Sequence, residues 1–288
     1  MNENQLINEQ APTVQQINDA AVKSYFDNAK GGTAATISMM THEFNLPASS
    51  GKYRLQKEVK TINDWLNNAP ESGTVLDVGC GAGAWTEIFA SRYKSVTGIE
   101  QSNLMLKAAK ERVAHLPNAK ILAGDGRKDL PAASFDIIFL GGLCMYLNDK
   151  DVVALLNSLT KLLKKRGSII LRESTLYKGV SFAEGEYQAV YRSVKLYREL
   201  FNRAGSFQVE ERRNYGYTNL VTAEEFVNLR RKWLPFLPKD STLLGSLTWW
   251  ALRGTTPVSF WALPRAFSKL KIQWPEIQNH FFRLRLKE

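Results

Sequence analysis

A chain of 288 residues exceeds the roughly 100 to 200 of a simple domain, so it holds one elaborated domain or one and a half. Hydrophobic content of 44% with 23% charged residues suits a large globular core, and only the polar start, MNENQLINEQ within 1–20, reads as a disordered tail. Two cysteines exclude a disulfide framework and the first residues carry no secretory pattern, which predicts a cytoplasmic setting; the net charge of +10 bears on encounter, not on fold.

Residues 21–70 are expected to form a helical N-terminal lid ending in KEVKTINDWLNNAP. From residue 74, short β-rich runs alternate with amphipathic stretches, the pattern of a parallel sheet with helical crossovers. Strands are predicted at 74–78, 95–99, 119–122, 135–140, 167–172 and 207–213. The runs LMLKAAKERVAHL and DVVALLNSLTKLLKK space their apolar residues at three and four, as helices covering a sheet do. The second is predicted to start at an Asp149 or Asp151 cap and to end in the basic run Lys161–Arg166 before Gly167. EYQAVYRSVKLYRELF reads as a helix with Tyr187, Tyr191 and Val194 on one face. A final period-two stretch, NHFFRLRLK, predicts a closing strand. Between it and the sixth strand lies a long connection with five prolines, read as an aromatic, basic substrate cap over 218–278. Residues 71–217 and 279–288 then make up the core.

The run TVLDVGCGAGAWTEIFA, 74–90, passes from strand to helix through Gly79, Gly81 and Gly83. Glycines there let a ligand approach the backbone and meet helix N-terminal N–H groups, which points to a nucleotide-like cofactor. The spacing also fits the dinucleotide pattern G-x-G-x-x-G/A, so it does not choose between cofactors. Three acids favour S-adenosylmethionine. Asp77 stands where a dinucleotide fold has an apolar residue and suits a cationic amino acid group; Glu100 is placed for ribose hydroxyls and Asp125 for the adenine amino group.

These segments, D-V-G-C-G-A-G at 77–83, I-E at 99–100, G-D-G at 124–126, F-D-I-I-F-L-G-G-L at 135–143 and G-S-I-I-L-R-E at 167–173, together resemble the class I S-adenosylmethionine-dependent methyltransferases. The resemblance implies an α/β, Rossmann-like seven-stranded sheet of order 3-2-1-4-5-7-6, strand 7 antiparallel, with helices on both faces. It implies that Asp77, Gly79, Cys80, Gly81, Gly83, Glu100, Gln101, Asp125, Gly126 and Leu140 bind S-adenosyl-L-methionine. Similar enzymes acting on protein N-terminal amines carry an Arg shortly after the glycines, where this chain has Thr86; Arg54 is the substitute cation expected for the cofactor carboxylate, with Tyr25 as a lid contact.

Methyl transfer needs alignment and exclusion of water, and no metal, so no metal site is expected. Tyr146, after the fourth strand where that subgroup has His, and His42, in MMTHEFNLP, are the candidate catalytic residues; Tyr191 and Arg192 are candidate substrate contacts. His115 and His280 read as structural. The favoured acceptor is an O or N atom of a small molecule; a peptide or protein amine, or a lipid-like acceptor at a membrane surface, are the alternatives. Dispersed basic residues give no reason to expect nucleic acid. STLLGSLTWWALRGTTPVSFWALP has uncharged stretches on either side of Arg253 that are too short to span a bilayer, Pro257 interrupts it, and it reads as a buried cap before it reads as a peripheral membrane contact.

Overall fold

Residues with apolar side chains on consecutive positions dominate 74–78 and 135–140, and such runs are stable only as central strands covered on both faces. The computed structural model describes residues 16–28, 44–272 and 274–287. In it the strands are β1 (Thr74–Val78), β2 (Ser95–Glu100), β3 (Ala119–Ala123), β4 (Phe135–Leu140), β5 (Leu163–Leu176), β6 (Val180–Ala183), β7 (Ala189–Ser193), β8 (Phe207–Arg213) and β9 (Ile277–Leu286). Parallel pairing gives β3-β2-β1-β4-β5; β9 then runs antiparallel to β5, and β8 antiparallel to β9. In the seven-strand numbering this is 3-2-1-4-5-7-6, as the resemblance implied.

The hairpin β6–β7 was not legible in the sequence. β4 pairs with β5 only as far as Leu140 beside Leu171, and β7 takes over the same edge at Thr175 and Leu176. The hairpin therefore stands above the carboxyl ends of the central strands. Consequently Tyr191 lies on a strand and Tyr187 just before it, not on one helical face as predicted; the helix begins only at Val194. A second correction concerns the basic run after the third crossover. The helix ends at Thr160, and Leu163–Arg166 already belong to β5, with Arg166 at φ 68°. Neither Asp149 nor Asp151 caps it: Asn148 holds the cap position, and its side chain bonds instead to the backbone N–H and C=O of Ile17.

The crossover helices are α4 (Ala84–Ala90), α5 (Asn103–Val113), α6 (Asp149–Thr160) and α7 (Val194–Ala204). Each presents a buried stripe at three-and-four spacing, for example Tyr197, Leu200, Phe201 and Ala204 of α7, which join the core beneath β4 and β5. The opposite face of the sheet is filled by Trp65, Trp85, Phe89, Phe139 and Phe281.

Before β1 come α1 (Asp19–Asp27), α2 (Ala48–Thr61) and α3 (Asn63–Leu66). Residues 16–20, placed in the tail by sequence, are ordered here: Ile17 is buried, and Asn18 caps α1 by accepting from the N–H groups of Ala20 and Ala21. The connection between β8 and β9 is helical: α8 (Tyr215–Trp233), α9 (Thr242–Gly254), a π-helical turn (Pro257–Ala262) and α10 (Leu263–Lys269). The first half of α8 is buried on every side, from Gly216 to Glu224, against α2. Leu46, Leu220, Val227, Trp249, Leu252 and Phe260 form a separate core joining this connection to the segment before α2. Trp249 and Phe260 are thus buried, whereas Trp250 and Trp261 are about 60% exposed, at 58% and 60%.

At Gly245 in α9 an added Cβ would lie 2.1 Å from the Asn45 carbonyl oxygen. Ala within a helix is ordinarily worth about 1 kcal/mol over Gly, but forcing a methyl into backbone costs about 1–3 kcal/mol. Gly245→Ala is therefore expected to lower the melting temperature; a rise, as propensity alone would give, would show that α9 does not rest on Asn45.

Candidate active site

Three glycines at positive φ, Gly79 (66°), Gly81 (54°) and Gly83 (77°), turn the chain from β1 into α4. They do different things. Gly81 lines a cavity, and a Cβ built on it meets nothing within 4 Å, so the backbone there faces open space. Gly83 caps α4 and sits against Ala109 of α5, where a Cβ would lie 3.2 Å from the Ala109 Cα; its role is packing. The cavity, of about 640 Å³, opens at the carboxyl ends of β1, β2, β4 and β5, the usual place for a ligand in an open α/β sheet.

One end of the cavity is polar. Glu100, at the end of β2 and 8% exposed, accepts from the Gly81 N–H at 2.9 Å and from the Ser102 N–H at 2.8 Å. Burial raises its pKa, partly offset by those two N–H donors. Asp125, in the turn after β3, has its Arg127 neighbour as a bidentate partner, with Oδ2 2.7 Å from an Arg127 Nη atom and Oδ1 also accepting the Arg127 N–H. Burial alone would raise Asp125; the Arg127 bonds and charge outweigh it and hold the carboxyl below its usual range. Arg127 also reaches Asp19 at 2.6 Å, tying α1 to this end. Two further bonds fix α1 there: Ser102 Oγ donates to the Phe26 carbonyl, and the Asn103 N–H to Asp27.

The other end is aromatic. Tyr146, in a short 3-10 turn after β4, lies 3.2 Å hydroxyl to hydroxyl from Tyr187, and the Tyr191 hydroxyl donates to Tyr187 at 3.3 Å. Tyr25 and Phe26 of α1 meet this group edge-on, at 5.2 Å from Tyr187 and 5.1 Å from Tyr146 respectively. Tyr217 and Glu224 of α8 and Phe44 complete the wall. Burial raises the pKa of Tyr146, Tyr187 and Tyr191 alike, so the phenols are neutral hydrogen-bonding groups and not bases near neutral pH.

Between the two ends, Arg54 and Arg172 line the cavity. Both face the fully buried Glu58, Arg54 at 3.5 Å and Arg172 at 3.2 Å, and Arg172 also donates to the Gly141 carbonyl. Arg54 also lies within electrostatic reach of the buried Glu224 of α8, so the two cations here face two carboxylates.

The sequence of residues 75–167 matches the family described as "Methyltransferase domain". Phosphoethanolamine N-methyltransferase 3 of Arabidopsis thaliana is 30% identical over 134 residues, 46% of this chain and 27% of that protein. The fold resembles Haemonchus contortus phosphoethanolamine N-methyltransferase 2, solved with phosphomonomethylethanolamine and S-adenosylhomocysteine, with TM-score 0.59 and 18% identity over 93% of this chain and 60% of that one. It also resembles an S-adenosylmethionine-dependent methyltransferase from Leishmania major, with TM-score 0.56 and 21% identity over 68% and 76%. Residues 75–167 thus match a methyltransferase domain, and the fold around them is the one seen in S-adenosylmethionine-dependent methyltransferases. The chain spans about a quarter to a third of the length of the curated relatives it matches.

Of the residues expected in the site, Gly79, Gly81, Glu100, Gln101, Asp125, Gly126, Arg54, Tyr25, Tyr146 and Tyr191 line the cavity. Asp77, Cys80, Gly83 and Leu140 do not. Asp77 is buried behind the glycine loop and accepts from the Thr86 hydroxyl at 2.6 Å; Thr86, at the position where an Arg was missed, is thus its partner and not a cofactor clamp. Cys80 packs against Gly98 and Leu140 lies in the core under β4. Arg192, expected to touch substrate, points away: it is 2% exposed, bonded to Asp149 and to the carbonyls of Cys144 and Leu147, and so positions the turn carrying Tyr146. His42 lies outside the described residues. His280 bonds to Thr175 in the sheet, and burial pushes it down to about 4.

Sequence reasoning missed Arg172, Tyr187 as a cavity residue, Tyr217 and Glu224. It also missed Glu173, which accepts from the N–H groups of Cys144 and Met145 and from the Tyr197 hydroxyl, and so supports the same turn from below. The signal for Arg172 and Glu173 was present, as two charged residues directly after the buried apolar run Ile169–Leu171.

Burial pushes Asp77 up to about 7 despite its Thr86 bond. An acid raised in the folded state keeps its proton there, so its stabilisation is complete below the unfolded carboxylate range and is lost as pH rises to about 7. Unfolding free energy measured with urea between pH 5 and 7.5 should fall with pH, and Asp77→Asn should remove at least about 1 kcal/mol of that fall, given 1.36 kcal/mol per unit. Identical slopes would show that Asp77 does not titrate in this range.

Proposed function

We propose that the protein transfers a methyl group from S-adenosylmethionine to a small-molecule acceptor, and that the acceptor atom is an amine nitrogen. The observation that carries this reading is a single cavity with a carboxylate and bare glycine backbone at one end and a wall of neutral tyrosines at the other.

The residues fit the cofactor. The open space over Gly81 admits a ligand against the backbone, Glu100 presents a carboxylate for ribose hydroxyls, and Asp125 and Gln101 lie where an adenine amino group and ring edge would be met. Met105, Ile99 and Leu143 supply apolar walls for a ring. Arg54 and Arg172 are the cations for a carboxylate, and their shared bond to Glu58 holds both in place. When bound, the cofactor supplies an electrophilic methyl group on a sulfonium.

This chain's own residues then have three tasks. α1, tied down by Arg127 and Ser102, covers the cavity and keeps water from the reacting atoms. The Tyr146–Tyr187–Tyr191 chain orients the acceptor by donating or accepting single hydrogen bonds. The same rings, with Tyr25 and Phe26, present electron-rich faces that favour the positive charge developing on an attacking nitrogen. An amine in its neutral form attacks without losing a proton in that step and releases the N–H proton of the cationic product to solvent afterwards. An alcohol must lose its proton as it attacks, and these raised phenols are not bases for that. Relatives named for phosphoethanolamine N-methylation support a small nitrogen acceptor.

Incubation with methyl-labelled S-adenosylmethionine and a panel of small amines and alcohols should yield amine products about 14 Da heavier per transfer. Labelling of alcohols only would overturn the choice of nitrogen. Glu100→Ala should weaken cofactor binding by about a hundredfold, as loss of two charge-assisted hydrogen bonds implies; unchanged affinity in calorimetry would remove its ribose role. Tyr146→Phe should leave that affinity alone and lower kcat/KM for the acceptor about tenfold, and an equal loss of cofactor binding would place Tyr146 elsewhere.

A further inference from the structure

On α9 the outward face reads Leu243, Leu247, Trp250, Ala251 and Gly254, spaced as one helical stripe, and it carries no charged residue. Leu243 is 68%, Leu247 56% and Trp250 58% exposed. The stripe continues at the same spacing into the π-helical turn, where Val258 and Trp261 are also more than half exposed, and Leu270 follows just after α10. The inward face holds Gly245, Trp249 and Leu252, already buried against Leu46 and Phe260. The outward residues are therefore not a spare part of the cap core. An isolated exposed leucine needs no explanation; a charge-free helix face with two tryptophans and three branched aliphatic residues does.

The charge around the stripe names its occupant. Residues 241–272 contain Arg253, Arg265, Lys269 and Lys271 and no acidic residue. Arg253 stacks on Tyr53 at 4.0 Å and Arg265 on Tyr215 at 4.2 Å, so both cations are fixed at the edges of the aromatic layer, and Lys269 and Lys271 are exposed. Tryptophan and leucine on one face with lysine and arginine alongside is the chemistry that seats a helix in the headgroup region of an anionic bilayer. No helix among the described residues is long and apolar enough to cross a membrane, so the contact is one of lying on the surface.

We infer that the outer face of α9 through α10, centred on Leu247, Trp250 and Trp261 and flanked by Lys269 and Lys271, docks this protein on anionic lipid bilayers. Docking is independent of the reading of the cavity. Its inner side is nonetheless connected to it: Gly245 lies on Asn45, and the adjacent Phe44 lines the cavity wall.

The test is cosedimentation of the full chain with vesicles of phosphatidylcholine alone and of phosphatidylcholine with about one third phosphatidylglycerol. Binding to the anionic vesicles is expected, weakened by salt, with Leu247→Ser/Trp250→Ser/Trp261→Ser lowering the partition coefficient at least tenfold. Lys269→Glu/Lys271→Glu leaves the apolar face intact and should weaken it about fivefold or more per lysine. Thermal melts and cofactor titrations of both variants should match wild type, and a Glu100→Ala protein should dock normally, which separates failure here from failure of the proposed activity. No binding by wild type, or equal binding by the triple variant, would overturn the inference. Equal affinity for neutral vesicles would overturn the anionic partner. A wild-type dimer in sedimentation equilibrium that the triple variant disperses, without vesicle binding, would assign the face to a second copy instead.

Discussion

The hydrogen bond from the Gly81 N–H to the Glu100 carboxylate, 2.9 Å long, joins the loop after β1 to the end of β2, and the site is arranged around it. It exists because two parallel strands end side by side, Val78 beside Ile99, and because Gly81 takes the positive φ of 54° that aims its N–H at the carboxylate, a conformation glycine adopts freely. A buried carboxylate with one oxygen on Gly81 and the other on Ser102 is fixed in position and partly relieved of the cost of burial. Ser102 then caps α5 and also grips α1 through the Phe26 carbonyl. α1 is thereby attached to the same strand end that carries the acid, so the polar end of the cavity and the helix beside it are placed by one short stretch, 100–103.

At the acceptor end the corresponding constraint is buried charge. Arg192 and Glu173 sit under the 144–147 turn from two sides, the guanidinium taking its carbonyls and the carboxylate its N–H groups. Each polar backbone group that a tight turn leaves open inside the protein thus meets a charged partner, which is where charge-assisted bonds count most. Burial pushes Glu173 up to about 7, so this support shares a titration range with Asp77 across the sheet. Tyr146 is positioned by residues that never reach the cavity.

The central strands could be read because they are buried on both faces: TVLDV and FDIIFL were bounded to the residue, as was the partly exposed FQVEERR, and the parallel order followed from alternation with helices. The hairpin β6–β7 could not, because YRSVKLYRELF satisfies a helical spacing throughout. What decides it is tertiary: β5 runs five residues past the end of β4, and its unpaired edge takes AVYRS as a strand before the helix can start. The same limit explains the site. Glu100 and Asp125 stand next to strand ends and could be singled out from the sequence, with Gln101 added by the family resemblance. Tyr217 and Glu224 arrive from α8, beyond the last predicted contact at Arg192, and Arg172 from inside a strand, and only packing brings them together. Cys80, Gly83 and Leu140 belonged to the right motif and the wrong side of it, since a motif gives neighbours in sequence while the cavity selects one face.

The connection between β8 and β9 shows why composition alone misjudged the aromatic residues. Its tryptophans were read as one group, yet adjacent residues Trp249 and Trp250 are 1% and 58% exposed, because consecutive positions on a helix point about 100° apart. The buried one belongs to a core shared with Leu46 and Phe260, and that core is complete without the other. Filling the cap interior therefore accounts for Tyr217, Trp249 and Phe260 and leaves Trp250 and Trp261 facing water, where exposed apolar surface is unfavourable. A charge-free face of this kind, with cations beside it and no acid among residues 241–272, has the character of an interaction surface and not of a core.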